Sequence, residues 1–94
     1  MAKVKTYPYD SADYLDSPET ISAYLDEAFD TGDAAFIAQA LGTVARAKGM
    51  AKVARKSKLS RESLYKALSA DGNPEFATIL KVMAALDLKL VMTR

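Results

Sequence analysis

Apolar residues recur three and four positions apart along most of this chain, the spacing that lines one face of a helix. Ile21, Tyr24, Leu25, Ala28 and Phe29 form the first such stripe. Ser17-Pro18-Glu19 ahead of it reads as a helix start: a side-chain cap, a proline in the first turn, and an acid at the positive end of the dipole. Gly32 suits the left-handed residue that ends a helix, and Asp33 caps a second one, with Phe36, Ile37, Ala40, Leu41 and Val44 on one face, stopping at Gly49. Met50, Val53, Ala54 and Ser57 outline a short third helix. Lys58-Leu59 makes a turn, and Ser60 caps a fourth helix that buries Leu64, Ala67 and Leu68 and ends at Gly72. Asn73-Pro74-Glu75 repeats the cap, proline and acid pattern and opens a fifth helix with Phe76, Ile79, Leu80, Met83 and Leu86; the stripe Phe76, Ile79, Leu80, Met83 is expected in the core.

The two ends break this rhythm. Residues 1–16 hold no helical stripe but carry Tyr7, Tyr9 and Tyr14 among aspartates, and read as an extended arm. Leu88-Lys89-Leu90-Val91-Met92 alternates as a short strand does, and a lone strand would need a partner such as a second copy of the chain. The pattern therefore predicts an all-α fold: five helices in one domain over 17–94, with an extended N-terminal arm over 1–16 and a short strand-like C-terminal tail.

Composition narrows the function. The 94 residues suit a single domain, and half of them are apolar, enough for one modest core. No apolar run approaches the roughly 18 residues of a membrane span, and no signal-peptide pattern opens the chain, so no membrane partner is expected. Without cysteine there is no disulfide or thiolate chemistry, and the cytoplasm is the expected compartment. Histidine is also absent, which removes the usual general base near neutral pH and, with cysteine, the usual zinc ligands. Carboxylates remain, but no phosphate loop or other catalytic signature accompanies them. Neither an enzyme nor a bound cofactor or metal is expected.

A formal net charge of +1 conceals a strong segregation. Over residues 1–44, Lys3 and Lys5 face eight acids, a net of −6; over 45–94, eleven Lys/Arg face four acids, a net of +7. Between Arg46 and Lys66 eight bases face Glu62 alone. Such asymmetry fits either a polyanionic partner for the second half or two solvated faces that attract each other.

The third and fourth helices, joined by about three residues, decide between these. So short a turn forces their axes to cross steeply, with Val53, Ala54, Leu59, Leu64 and Leu68 of the right kinds to fill the angle. At 100° per residue, Leu64 and Leu68 point inward while Glu62, Lys66 and Ser69 fall opposite, flanked by Ser63 and Tyr65, with Arg61 in the first turn. A short helix with one polar, hydrogen-bonding face suits a major groove.

Here the chain resembles the helix-turn-helix family of phage Cro and repressor proteins. The matching string is Val53-Ala54, Ser57-Lys58-Leu59-Ser60 and Arg61-Glu62-Ser63-Leu64-Tyr65-Lys66. Lys58 stands where that family often has glycine; a positive φ there would cost about 1 kcal/mol. Gly49-Met50, the run Ser60 to Leu68, Gly72-Asn73-Pro74-Glu75-Phe76-Ala77-Thr78 and the early Tyr14-Leu15-Asp16 are similar to the HigA-like addiction-module antidote proteins.

That resemblance implies an antitoxin that represses its own operon and neutralises a RelE-like toxin; a homodimer is expected because a single short helix offers few base contacts and paired half-sites multiply them. Matched by position, the expected double-stranded DNA (operator) contacts are Lys52, Arg55, Lys58, Ser60, Arg61, Glu62, Ser63, Tyr65, Lys66 and Ser69, within a helix-turn-helix spanning about 50–69. Arg61 and Lys66 suit guanine, Glu62 suits cytosine, and Tyr65 suits a thymine methyl or a phosphate. Plainer roles compete: Tyr65 could pack over the domain edge, and Glu62 could serve only the helix dipole. Lys56 and Lys81 read as solvated. For the toxin, a basic RNA-binding surface is implied, and Tyr7, Tyr9, Tyr14 and Leu15 in the acidic arm are the expected anchors; the competing reading is that the arm packs on its own domain, over the basic face, by charge attraction. Two other functions fit the residues: a solitary prophage-type repressor, and a protein-interaction module without DNA binding.

Overall fold

A computed structural model describes residues 15–69 and 71–93. The described chain is all-helical: α1 Pro18–Asp30, α2 Ala34–Lys48, α3 Met50–Ser57, α4 Arg61–Ala67 and α5 Phe76–Ala85. No helix in it is long and apolar enough to cross a membrane.

Three of the helix starts are fixed by side chains the sequence supplies. The Ser17 hydroxyl accepts from the Thr20 N–H at 3.1 Å, with Pro18 in the first turn behind it. One Asp33 oxygen accepts from both Ala35 and Phe36, and Ser60 Oγ accepts from the Ser63 N–H at 3.0 Å. Each such cap contributes about 1 kcal/mol by satisfying N–H groups that the helix cannot.

α2 is the central element, touching α1, α3 and α4, while α5 packs on α3. Ala38, Leu41, Val44 and Ala45 of α2 are wholly buried, alongside Val53, Leu64 and Val82 from the helices around it. At Gly42 the backbones of α2 and the end of α4 come together: a Cβ there would lie 2.7 Å from the Leu68 carbonyl oxygen. Only a residue without a side chain lets α2 and the end of α4 meet backbone to backbone.

Several expectations need correction. Phe36 is 47% exposed instead of buried. It sits in the first turn of α2, about 40° around the helix from the buried Ala40, at the margin of the covered face. On α5, Phe76 is 64% and Leu80 44% exposed. The buried stripe is Val82, Met83 and Leu86 with Ile79 at its margin; Leu80 is turned about 100° from Ile79, and Phe76 occupies the first turn, at its start. α5 also begins later than Asn73-Pro74-Glu75 implies, since Glu75 is its N-cap and makes no side-chain cap bond.

Gly72 does not stop α4, which ends at Ala67. It folds the chain back so tightly that a Cβ would run into the carbonyls of Lys66 and Ala67. Over 88–93 the tail forms no strand. Leu15 is 5% exposed and belongs to the core cluster, so the anchor expected for a toxin is held by the domain's own interior. Tyr7, Tyr9 and Tyr14 lie outside the described residues.

Two substitutions test this architecture with opposite signs. Gly42→Ala adds helix propensity of up to about 1 kcal/mol, but the methyl meets a backbone carbonyl, and overpacking costs about 1–3 kcal/mol. Urea denaturation should show net destabilisation. Lys58→Gly should raise stability by about 1 kcal/mol, because Lys58 is held at φ 64; an unchanged midpoint would mean the left-handed turn carries no strain.

Candidate nucleic-acid interface

α3 and α4 are joined by Lys58, Leu59 and Ser60, and the turn is tied to one carbonyl. Ala54 O accepts from the N–H groups of Lys58 and Leu59 and from the Ser57 hydroxyl, the last two at 3.1 and 3.2 Å. With Lys58 in the left-handed conformation this is a Schellman ending, which redirects the chain within three residues. Leu59 packs, half-buried, against the core beneath the turn. Val53, Ala54, Leu64 and Leu68 are all buried, so the angle between the helices is filled as their spacing predicts.

The opposite face is exposed. Lys52, Arg55 and Lys58 on α3 and the turn, and Arg61, Glu62, Ser63, Tyr65 and Lys66 on α4, all face solvent, Tyr65 at 49%. The other two expected site residues sit differently. Ser60 is exposed, but its hydroxyl caps α4 and donates to Ser63 Oγ at 2.9 Å. Ser69 is half-buried and donates to the Lys66 carbonyl at 3.0 Å, so it first closes the end of α4.

The electrostatics follow from this layout. Six cations and one carboxylate occupy residues 50–67. Lys56 reaches Asp87 at 3.6 Å, an exposed pair worth little in water. Among the described residues, no carboxylate pairs with Lys52, Arg55, Lys58, Arg61 or Lys66. α3 starts at Gly49 without a side-chain cap, leaving its first-turn N–H groups beside Lys52.

The structure adds a residue that sequence reasoning placed elsewhere. Asn73, read as a helix cap, lines a groove with Ser63, Lys66 and Ser69. Its string Asn-Pro-Glu carries a capping signal, and only the tight fold at Gly72 sets it beside α4. Gln39 and Thr43 of α2 likewise border a second groove with Leu68 and Ser69, for which the sequence held no signal.

A family model described as "Probable addiction module antidote protein" matches residues 5–94. A Haemophilus influenzae protein described only as uncharacterized is 49% identical over 81 residues, which cover 86% of this chain and 84% of that protein. No solved structure matches the chain. The family match takes in every described helix, from the Ser17 cap of α1 to the tail beyond α5, and by that extent the chain belongs to the addiction module antidote family.

Proposed function

We propose that this chain is the DNA-binding antidote of a toxin–antitoxin pair, which reads its own operator through α4 and neutralises a RelE-like toxin encoded beside it. The observation that carries the DNA half is the α3–α4 surface, where five cations without a carboxylate partner among the described residues surround a short polar helix standing on a rigid turn. In this reading α4 lies in the major groove. Arg61 and Lys66 reach base edges or phosphates, Glu62 accepts from cytosine, and the Tyr65 ring covers a thymine methyl. Lys52 and the uncapped start of α3 hold one phosphate, and Arg55 and Lys58 add attraction independent of sequence.

A seven-residue helix offers few base contacts. Pairing two copies on two half-sites multiplies those contacts, so the reading includes a homodimer on DNA. Family membership supports the toxin half, because an antidote acts on a toxin. Repression follows if the operator overlaps the promoter of the pair.

Replacing Arg61 and Lys66 together with alanine should leave the helical circular dichroism intact and remove binding to the chain's own promoter. Each lost specific contact costs about 1–3 kcal/mol. A double variant that shifts the promoter with wild-type affinity would place the reading helix elsewhere.

Log affinity of the wild-type chain should fall linearly with log salt, by about 0.9 per phosphate contacted. Its footprint should contain two half-sites about 34 Å apart, or a multiple of that. Salt-independent binding or one undivided short footprint would count against the dimeric reader.

A further inference from the structure

The chain has a second charged surface, which the α3–α4 reading does not use. α1 carries Glu19, Asp26, Glu27 and Asp30 and no basic residue. Beside its C-terminal half runs the tail, which leaves α5 through another Schellman ending: Leu88 N–H to Met83 O at 2.9 Å and Asp87 N–H to Ala84 O at 3.0 Å, with Asp87 at φ 61. This turn sends the tail back toward α1, and the two enclose a groove of about 280 Å³. Leu25 and Met83, both core residues, and the half-buried Phe29 form its floor. Leu90, Val91 and Met92 form the wall and are 46%, 77% and 93% exposed. Asp26 lines this groove, and with Glu27 and Asp30 it also lines an adjoining cleft that shares Phe29 and Val91. Among the described residues lining either, Lys89 is the one cation.

Three consecutive apolar side chains left in water beside a row of carboxylates have the anatomy of a protein interface, an apolar centre with a charged rim. The sign of the rim selects the occupant. Nucleic acid is repelled by it. A second copy docked face to face would set Asp26, Glu27 and Asp30 against their own symmetry mates, which costs energy instead of gaining it. A basic protein segment with apolar anchors satisfies both parts.

We infer that the groove between α1 and the C-terminal tail is the docking surface for the toxin, which presents to it a basic segment bearing apolar side chains. The inference rests on the antidote reading above and names the surface through which that reading acts. No groove residue belongs to α3 or α4, so toxin and operator are held by different elements. The carboxylates speed encounter, and Leu90, Val91 and Met92 supply the desolvated contact that slows release.

The test uses the full chain and the purified product of the gene adjacent to it. Asp26→Lys/Asp30→Lys places cations toward the negative end of α1 at exposed positions, so the fold is retained; Val91→Ser/Met92→Ser alters side chains already in water. Calorimetry should show the first pair weakening association roughly tenfold or more and flattening its salt dependence. The second should raise the dissociation rate, and both should bind operator DNA as the wild type does. Hydrogen exchange in the wild-type complex should slow at residues 22–30 and 88–93. Wild-type toxin affinity in both variants, or slowed exchange only elsewhere, including 1–14, would overturn the groove while leaving the antidote reading intact. A wild-type chain that does not bind the neighbouring product would overturn the toxin half of that reading, and the groove with it, whatever the outcome on DNA.

Discussion

The backbone contact between α2 and the end of α4 is the constraint on which the rest of the molecule depends. At Gly42 no Cβ intervenes, so the two helices meet at the carbonyl of Leu68. The approach lets Leu64 and Leu68 sink fully among Leu41, Val44 and Val82. α4 has only seven residues and could not persist alone, since helices shorter than about 12 residues are marginal in water. Its helicity and its orientation therefore come from the same burial. A helix tied to the centre of the core presents its outer side chains in a fixed arrangement, which the proposed recognition of base edges requires.

The turn before α4 meets the same need by a different means. Three donors converge on the Ala54 carbonyl, and Lys58 adopts a conformation that disfavours its own side chain. A glycine there would relieve that strain at the loss of a cation on the exposed face. Retaining lysine thus exchanges about 1 kcal/mol of backbone strain for charge on the surface where charge is concentrated. The same motif recurs after α5, where Asp87 takes the left-handed position. There the residue is acidic, and the chain it redirects leads to the acidic side of the molecule. Left-handed helix endings of the same kind thus lie at surfaces of opposite sign.

Separation of charge along the chain becomes separation by element in the fold. α1 is purely acidic among its charged residues, and α3 is purely basic. Lys56 and Asp87, both in the second half of the chain, form one contact between opposite signs among the described residues, and both are too exposed to bind each other strongly. Both surfaces remain open to solvent.

The five helices are legible from the chain alone, because caps such as Ser17, Asp33 and Ser60 and apolar spacing are local signals that need no tertiary information. The helix-turn-helix is legible too: Val53, Ala54, Leu59, Leu64 and Leu68 have the sizes and spacing to fill the angle of a short turn, and the candidate cations fall on the outside by helical geometry. Tertiary structure decided whatever depends on which neighbours are present. Phe36, Phe76 and Leu80 continue apolar stripes, yet no described helix covers them. Leu15 looks like part of an exposed arm, yet it completes the core beneath α1. Asn73 carries the grammar of a helix cap but lies beside α4, because the chain folds tightly at Gly72. The tail alternates like a strand and instead walls a groove along α1. Periodicity reports that a residue is apolar on one face; burial requires a second surface to meet that face, and only packing supplies it.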